Sequence, residues 1–212
     1  MNFVYWLGWT FFRLIFATYF RWRPYNAERV PRAGAVILAS NHASFLDPPI
    51  VGSPLKRPCS FLARDTLFRW RPARWLLTRW QAIPVDRTGS SPTGLRNILG
   101  ALQQGRAVVL FPEGTRTRDG HLQPARSGIG LLVVKSGAPV VPVRVWGSMK
   151  AYGRDVKIPK PRQLILKYGE PMRFEALLAE AKTCPKDRLK QIYQEIADQI
   201  MQAIAKLEPK ED

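Results

Sequence analysis

Three short runs in this sequence are almost wholly apolar, and two of them stop abruptly at polar or chain-breaking residues: AVILA at 35–39 before Ser40-Asn41-His42, AVVLF at 107–111 before Pro112-Glu113-Gly114, and PVVPVRV at 139–145. Runs this short, flanked by breakers, suit strands rather than helices, and their lack of polar alternation requires apolar cover on both faces. Helical patterns lie between them. Residues 66–80 mix basic and aromatic side chains, and residues 94–104 repeat Leu95, Ile98, Leu99 and Leu102 at helical spacing. A helix at 130–136 and a strand at 163–168 extend the alternation. The chain closes with an amphipathic helix that takes Pro185 as its first helical position and turns Leu189, Ile192, Ile196, Ile200, Ala203, Ile204 and Leu207 inward. The expected fold is α/β, a mixed and largely parallel sheet covered by helices on both faces.

The N-terminus has a different character. Residues 3–20 are nearly all apolar or aromatic, with Arg13 at their centre. The stretch barely reaches the ~20 residues of a spanning helix, and a central arginine costs several kcal/mol in hydrocarbon. A helix lying in the membrane interface fits better: Tyr5, Trp6, Trp9 and Tyr19 suit the headgroup boundary, while Arg13, Arg21, Arg23 and Arg29 can reach lipid phosphates. A helix buried on the domain's own core and a single span are the alternatives. No basic leader precedes the apolar run and no small-residue cleavage site follows it, so a secretory signal is not expected. Residues 24–34 are polar and breaker-rich and read as a linker. The expected organisation is a membrane-interfacial helical segment with its linker at 1–30 and an α/β domain at 31–212.

Charge narrows the partners. Lys and Arg number 33 against 16 acidic residues, a net +17, which points to anions: nucleic acid, anionic lipid or phosphorylated substrates. Cys59 and Cys184 stand far apart, so neither a disulfide framework nor a zinc knuckle is suggested, and both read as small apolar packing residues in a domain facing a reducing cytoplasm. With two histidines and no paired cysteines, no metal site is expected.

Proton transfer therefore has few candidates. His42 follows the first strand and Asp47 lies five positions on. A continuous helix would hold the two side chains ~140° apart, whereas a loop that curls back lets the carboxylate accept from one imidazole nitrogen and leave the other as a base. Pro48-Pro49 stiffens that turn. Taken alone, the pair also fits a loop that merely caps a helix. Residues 81–87 and 111–116 each end an apolar stretch with an arginine, Arg87 and Arg116, suited to forked contact with phosphate. Gly114 lets a ligand approach the backbone, whereas Glu113 is out of place beside a phosphate unless it binds a hydroxyl or positions an arginine. His121, in a turn-like Asp119-Gly120-His121, reads as a solvated loop residue, and Arg126-Ser127-Gly128 as either a further anion contact or an ordinary loop.

These segments, in order, resemble the 1-acylglycerol-3-phosphate acyltransferases of the wider glycerolipid acyltransferase superfamily. Residues 41–47 (NHASFLD) are similar to that family's HxxxxD block, 83–87 (IPVDR) to its second, 111–116 (FPEGTR) to its third and 140–143 (VVPV) to its fourth. FLARD at 61–65 departs from the Ala-Lys-x-Glu-Leu of many members, with Arg64 still able to meet an anion. The resemblance implies that His42, oriented by Asp47, deprotonates the free hydroxyl of a lysophospholipid, which attacks an acyl thioester directly with no acyl-enzyme. It further implies that Arg87 and Arg116 hold the acceptor phosphate, that Glu113 and Gly114 shape the glycerol site with Thr115 as a ligand contact, and that Pro142 shapes the loop beyond its strand. It implies no cofactor, with acyl-coenzyme A or acyl carrier protein as donor substrate, and membrane association at the cytoplasmic face of the inner membrane.

Two alternatives stay open on sequence. One is an acyltransferase for another lysolipid or a lipid amine. The other is a non-catalytic protein for nucleic acid or anionic lipid, since the arginine-rich tract at 64–87 interleaves Trp70, Trp75 and Trp80 in a way that suits nucleic acid, lipid or simple cover of the sheet. No nucleic-acid partner is expected under the enzyme reading.

Overall fold

The computed structural model describes residues 2–86 and 92–210. The chain enters through helix α1 (Phe3–Thr18) and strand β1 (Arg23–Tyr25), then runs β2 (Val36–Ser40), α2 (Asp47–Gly52), β3 (Cys59–Arg64), α3 (Arg71–Arg79) and β4 (Ile83–Val85). It continues through α4 (Pro92–Gln103), β5 (Ala107–Leu110), α5 (Gly128–Ser136), β6 (Val140–Trp146), α6 (Ser148–Tyr152), β7 (Ile165–Tyr168), α7 (Glu175–Glu180) and α8 (Lys186–Lys206). The strands form a seven-stranded sheet in the order β1-β7-β6-β2-β5-β3-β4. Every neighbouring pair is parallel except β6 with β7. The fold is thus α/β with a mixed, mostly parallel sheet.

Burial explains the unbroken apolar runs. Ile37, Ala39, Val108 and Leu110 join one core with Ile98 and Leu102 of α4, Ile129, Leu132 and Val133 of α5, and Ile192, Ile196, Ile200 and Ile204 of α8. Their strand neighbours Val36, Leu38, Ala107 and Val109 join the opposite core with Phe16 and Phe20 from α1 and its exit, and Ile50 and Val51 of α2. Successive side chains on a strand point to opposite faces. Each face here meets helices, so no position can be polar without a buried partner, and each fully buried Val, Leu or Ile contributes about 1.5–3 kcal/mol.

α1 docks on this second core by one face. Tyr5 and Phe16 are buried, and the Tyr5 hydroxyl accepts from the Cys59 backbone N–H at 2.8 Å while donating to its carbonyl at 3.3 Å. The other face leaves Phe3, Trp6, Leu7, Phe11 and Leu14 exposed. Arg13 faces inward: its Nη1 donates to the carbonyl of Ser53, the C-cap of α2, at 3.0 Å, and its guanidinium stacks over Trp9. This corrects the expectation that Arg13 reaches lipid, because helix-terminal carbonyls offer a fixed negative partner. Arg29 is likewise engaged within the protein, with Glu170 at 2.8 Å and the Tyr168 carbonyl at 3.2 Å.

Other differences have local causes. The stretch read as a linker contributes β1, an edge strand paired with β7. Residues 66–80 are not one helix: a short 3-10 turn (Asp65–Phe68) precedes α3, because Pro72 lacks an N–H and its ring cannot follow the carbonyl of Phe68 in a continuous helix. Pro185 is the extended N-cap of α8 rather than its first helical residue. Pro142 lies inside β6, within the run read as a strand. Its carbonyl accepts from Gly169 at 2.8 Å, and the β6–β7 register begins only at Val143 with Tyr168, so the missing N–H falls where that ladder has ended.

Two glycines in helices make opposite predictions. A Cβ on Gly130 of α5 would lie 1.9 Å from the Tyr193 carbonyl oxygen of α8, whereas one on Gly100 of α4 meets nothing within 4 Å. Gly130→Ala should therefore lower stability by about 1–3 kcal/mol or more, and Gly100→Ala should raise it by up to about 1 kcal/mol. Thermal unfolding checks this, with expected shifts of roughly 2–4 °C per kcal/mol for a chain this size.

Candidate active site

β2 and β5 are parallel neighbours, and their register pairs Ala39 with Leu110, so both strands end level. The chain then parts: α2 packs into one core and α5 into the other. Loops that leave adjacent strand ends toward opposite faces open a crevice, and ligands bind there in such sheets. The two loops are the sequence segments beginning Asn41-His42 and Phe111-Pro112.

Hydrogen bonds fix the first loop at both ends. Asn41 acts as a false peptide group, donating to the Val145 carbonyl at 3.0 Å and accepting from its N–H at 2.8 Å, which ties the end of β2 to β6. Asp47, first residue of α2, turns its carboxylate back into the loop. Its Oδ2 lies 2.9 Å from His42 Nδ1 and accepts from the backbone N–H of Ala43 at 2.6 Å and of Ser44 at 2.7 Å. The Asp47 side chain is wholly buried, whereas that of His42 keeps 18% of its surface exposed. A buried anion persists only where donors surround it. The carboxylate can only accept from the ring, which selects the tautomer with hydrogen on Nδ1 and leaves the lone pair on Nε2. The imidazole lies flat on Phe111, ring centroids 3.9 Å apart and planes inclined by 14°, which removes its remaining rotational freedom.

Glu113 joins the two loops. Its Oε1 accepts from the His42 N–H at 2.8 Å and its Oε2 from the Gln123 N–H at 3.1 Å, and the residue is only 3% exposed. Burial pushes the carboxyl above its usual range, opposed by those two backbone N–H groups. Both oxygens are thus committed to backbone, and Glu113 stands behind the cleft rather than on its wall. The Thr117 N–H donates to the His42 carbonyl at 2.8 Å, closing the same junction. Gly114 adopts a φ of +70° and packs so tightly that a Cβ would lie 2.8 Å from the Arg126 side chain.

His42 lines a cleft of about 1180 Å³. One part of its wall is basic, with Arg64, Arg116, Arg126 and Arg154. The remainder is largely apolar and includes Tyr5, Trp9 and Phe12 of α1 with Phe61, Leu77 and Trp80. Arg116 stacks over Phe45, its guanidinium carbon 3.5 Å from the ring centroid, and its Nη1 is buried without a hydrogen-bond partner. Burial, then the guanidiniums of Arg154 and Arg64, lower its pKa. Thr115 accepts from Arg154 Nη2 at 2.7 Å. The structure thus brings His42, Asp47, Gly114, Thr115 and Arg116 together, while Arg87 lies outside the described residues. His121 is exposed, and among the described residues no cluster of His, Cys, Asp or Glu could hold a metal ion. Sequence reasoning missed Arg154 altogether, since it sits in a turn after α6 with no strand end or periodicity to mark it.

Comparison with known proteins places the chain in a family. The profile of a family described as Acyltransferase matches residues 21–146. The chain is 30% identical over 136 residues to the chloroplastic 1-acyl-sn-glycerol-3-phosphate acyltransferase BAT2 of Brassica napus, covering 63% of this chain and 38% of that protein. It is 28% identical over 149 residues to the 1-acyl-sn-glycerol-3-phosphate acyltransferase of Bacillus subtilis, covering 70% of this chain and 72% of that one. A lyso-ornithine lipid O-acyltransferase of Pseudomonas aeruginosa is 29% identical over 122 residues, covering 57% and 44%. The chain therefore spans well under half the length of the plant relative it matches. Its fold superposes on the crystal structure of the acyltransferase PlsC of Thermotoga maritima with a TM-score of 0.70 at 21% identity, covering 98% of this chain and 80% of that one. Because the profile match extends over more than half of its length, this chain belongs to the acyltransferase family.

Proposed function

We propose that the chain transfers a fatty acyl group from an acyl thioester to the free hydroxyl of 1-acylglycerol-3-phosphate, giving phosphatidic acid. The observation that carries the reading is the His42 Nδ1 to Asp47 Oδ2 hydrogen bond of 2.9 Å beside an arginine-lined cleft. Nε2 takes the acceptor's hydroxyl proton as its oxygen attacks the thioester carbonyl. The C–S bond then breaks, and the imidazolium, steadied by the Asp47 carboxylate, returns the proton to the departing thiolate. Arg116 and Arg87 hold the phosphate, Thr115 and Gly114 contact the ligand, and Glu113 positions the loop that carries His42. No cofactor enters the reading, and the coenzyme A or acyl carrier protein thioester is substrate.

Two features support direct transfer over an acyl-enzyme. Cys59 lines the cleft, but burial pushes its thiol up to about 12, so it stays protonated near neutral pH. Ser44 is buried, with its hydroxyl donating to the Tyr152 carbonyl at 2.7 Å and accepting from the Leu46 N–H. The similarity to a lyso-ornithine lipid acyltransferase supports a second reading with another lysolipid as acceptor. The cluster of guanidiniums favours the phosphate.

The same reading includes work at a membrane surface on the cytoplasmic face. Among the described residues no helix is long and apolar enough to cross a bilayer. The exposed face of α1, with Leu67, Trp70 and Trp75 exposed before and within α3, offers apolar side chains among arginines, the composition of an interfacial surface.

Substitution separates these roles. His42→Ala should lower acyl transfer by about 10²–10⁴-fold in a thioester-consumption assay with the fold intact, and activity within twofold of the wild type removes His42 from the mechanism. Asp47→Ala should also destabilise the protein by about 2–5 kcal/mol, since two buried N–H groups lose their acceptor, whereas Asp47→Asn keeps an oxygen there and loses mainly activity. On the membrane side, a Trp6→Ser, Phe11→Ser, Leu14→Ser variant should partition into anionic vesicles at least about tenfold more weakly than the wild type. Unchanged sedimentation with vesicles contradicts the interfacial assignment.

A further inference from the structure

Arg64, Arg116 and Arg154 reach one wall of the cleft from three places in the fold: the end of β3, the loop after β5 and the turn after α6. Arg116 is held flat on Phe45, and its Nη1 is buried without a partner. Arg154 is anchored by the bond from its Nη2 to Thr115 Oγ1, which uses one of the five N–H donors of its planar fork. No ion pair with a carboxylate of a described residue engages Arg64, Arg116 or Arg154. Two acids stand near: Asp47, whose Oδ2 is occupied by the His42 loop, and Asp86, which lines the same cleft.

Guanidiniums crowded together repel one another, as Arg154 and Arg64 do Arg116, and the repulsion is relieved by a ligand of matching charge. A phosphomonoester near pH 7 carries about −1.5 to −2 and presents three terminal oxygens. A phosphodiester carries a single negative charge on two such oxygens, and in a choline headgroup an ammonium cancels it. Three forked donors match the first and are in excess for the second.

We propose that Arg154 is a specificity-determining contact for the acceptor headgroup, completing with Arg64 and Arg116 a three-guanidinium clamp that selects a phosphomonoester over a phosphodiester. The inference rests on the acyl-transfer reading and extends it to a residue outside the four sequence segments. Arg154 is exposed, so its replacement leaves the core untouched.

Steady-state kinetics of the full chain test it. Arg154→Gln should raise KM for lysophosphatidic acid by about ten- to a hundredfold, the loss expected for one charge-assisted contact, and leave kcat and the thioester KM within about twofold. The preference over a choline phosphodiester lysolipid should shrink by the same factor, and Arg154→Lys should fall between. An equal loss on both acceptors, or a rise in the thioester KM instead, overturns the assignment. A second measurement needs no turnover. Inorganic phosphate should raise the Tm of the wild-type chain and raise that of Arg154→Gln much less, and equal shifts again overturn the clamp. Should the wild type acylate no lysolipid while phosphate still separates the two proteins, the clamp is supported and the acyl-transfer reading alone fails.

Discussion

Everything at the strand ends depends on one buried carboxylate. Asp47 is the first residue of α2, yet its side chain points back to gather the His42 imidazole and two backbone N–H groups onto a single oxygen. Without that acceptor, the loop between β2 and α2 would leave donors unsatisfied in an environment that excludes water, a cost of about 1–3 kcal/mol for each. The bond that orients the imidazole is therefore also the bond that folds the loop. In the proposed mechanism stability and proton transfer share one atom, and few residues can replace Asp47 without losing both.

The sheet makes this local device useful. Because β2 and β5 end in register, the Glu113 carboxylate can reach across to the His42 N–H, and the second loop sets the height of the first. The cleft that results is basic at one part and apolar along much of the rest, where α1 supplies Tyr5, Trp9 and Phe12. A headgroup with a long hydrocarbon tail has the same division. α1 thus has two faces with different tasks: the inner face finishes the core and the cleft, and the outer face presents aromatic side chains to the surroundings.

Much of this was legible in the sequence, for physical reasons. The runs around Ile37, Val108 and Val141 are apolar because both faces of those strands are covered, and that pattern identifies a helix-clad parallel sheet without further help. The His42 and Asp47 spacing rules out a shared helix face and leaves a returning loop, which the structure has. Strand β3 was not anticipated, since it runs from the buried Cys59 toward the sheet edge and ends in an exposed Arg64, so its pattern is mixed. Arg13 misled because a charge within an apolar stretch reads as facing lipid, whereas only tertiary structure reveals the α2 carbonyls that receive it. Arg154 carried no local signal at all; its place beside Thr115 and Arg116 is a product of the chain's return through α6.

The central claim is geometric: a hydroxyl held by its neighbouring phosphate must meet the free nitrogen of His42. A crystal structure of the full chain with lysophosphatidic acid bound measures this directly. The account predicts the acceptor hydroxyl oxygen within about 3.2 Å of His42 Nε2, with the phosphate among the guanidiniums of Arg64, Arg116 and Arg154. A headgroup seated elsewhere, with the hydroxyl out of reach of the imidazole and Nε2 facing only solvent, contradicts it.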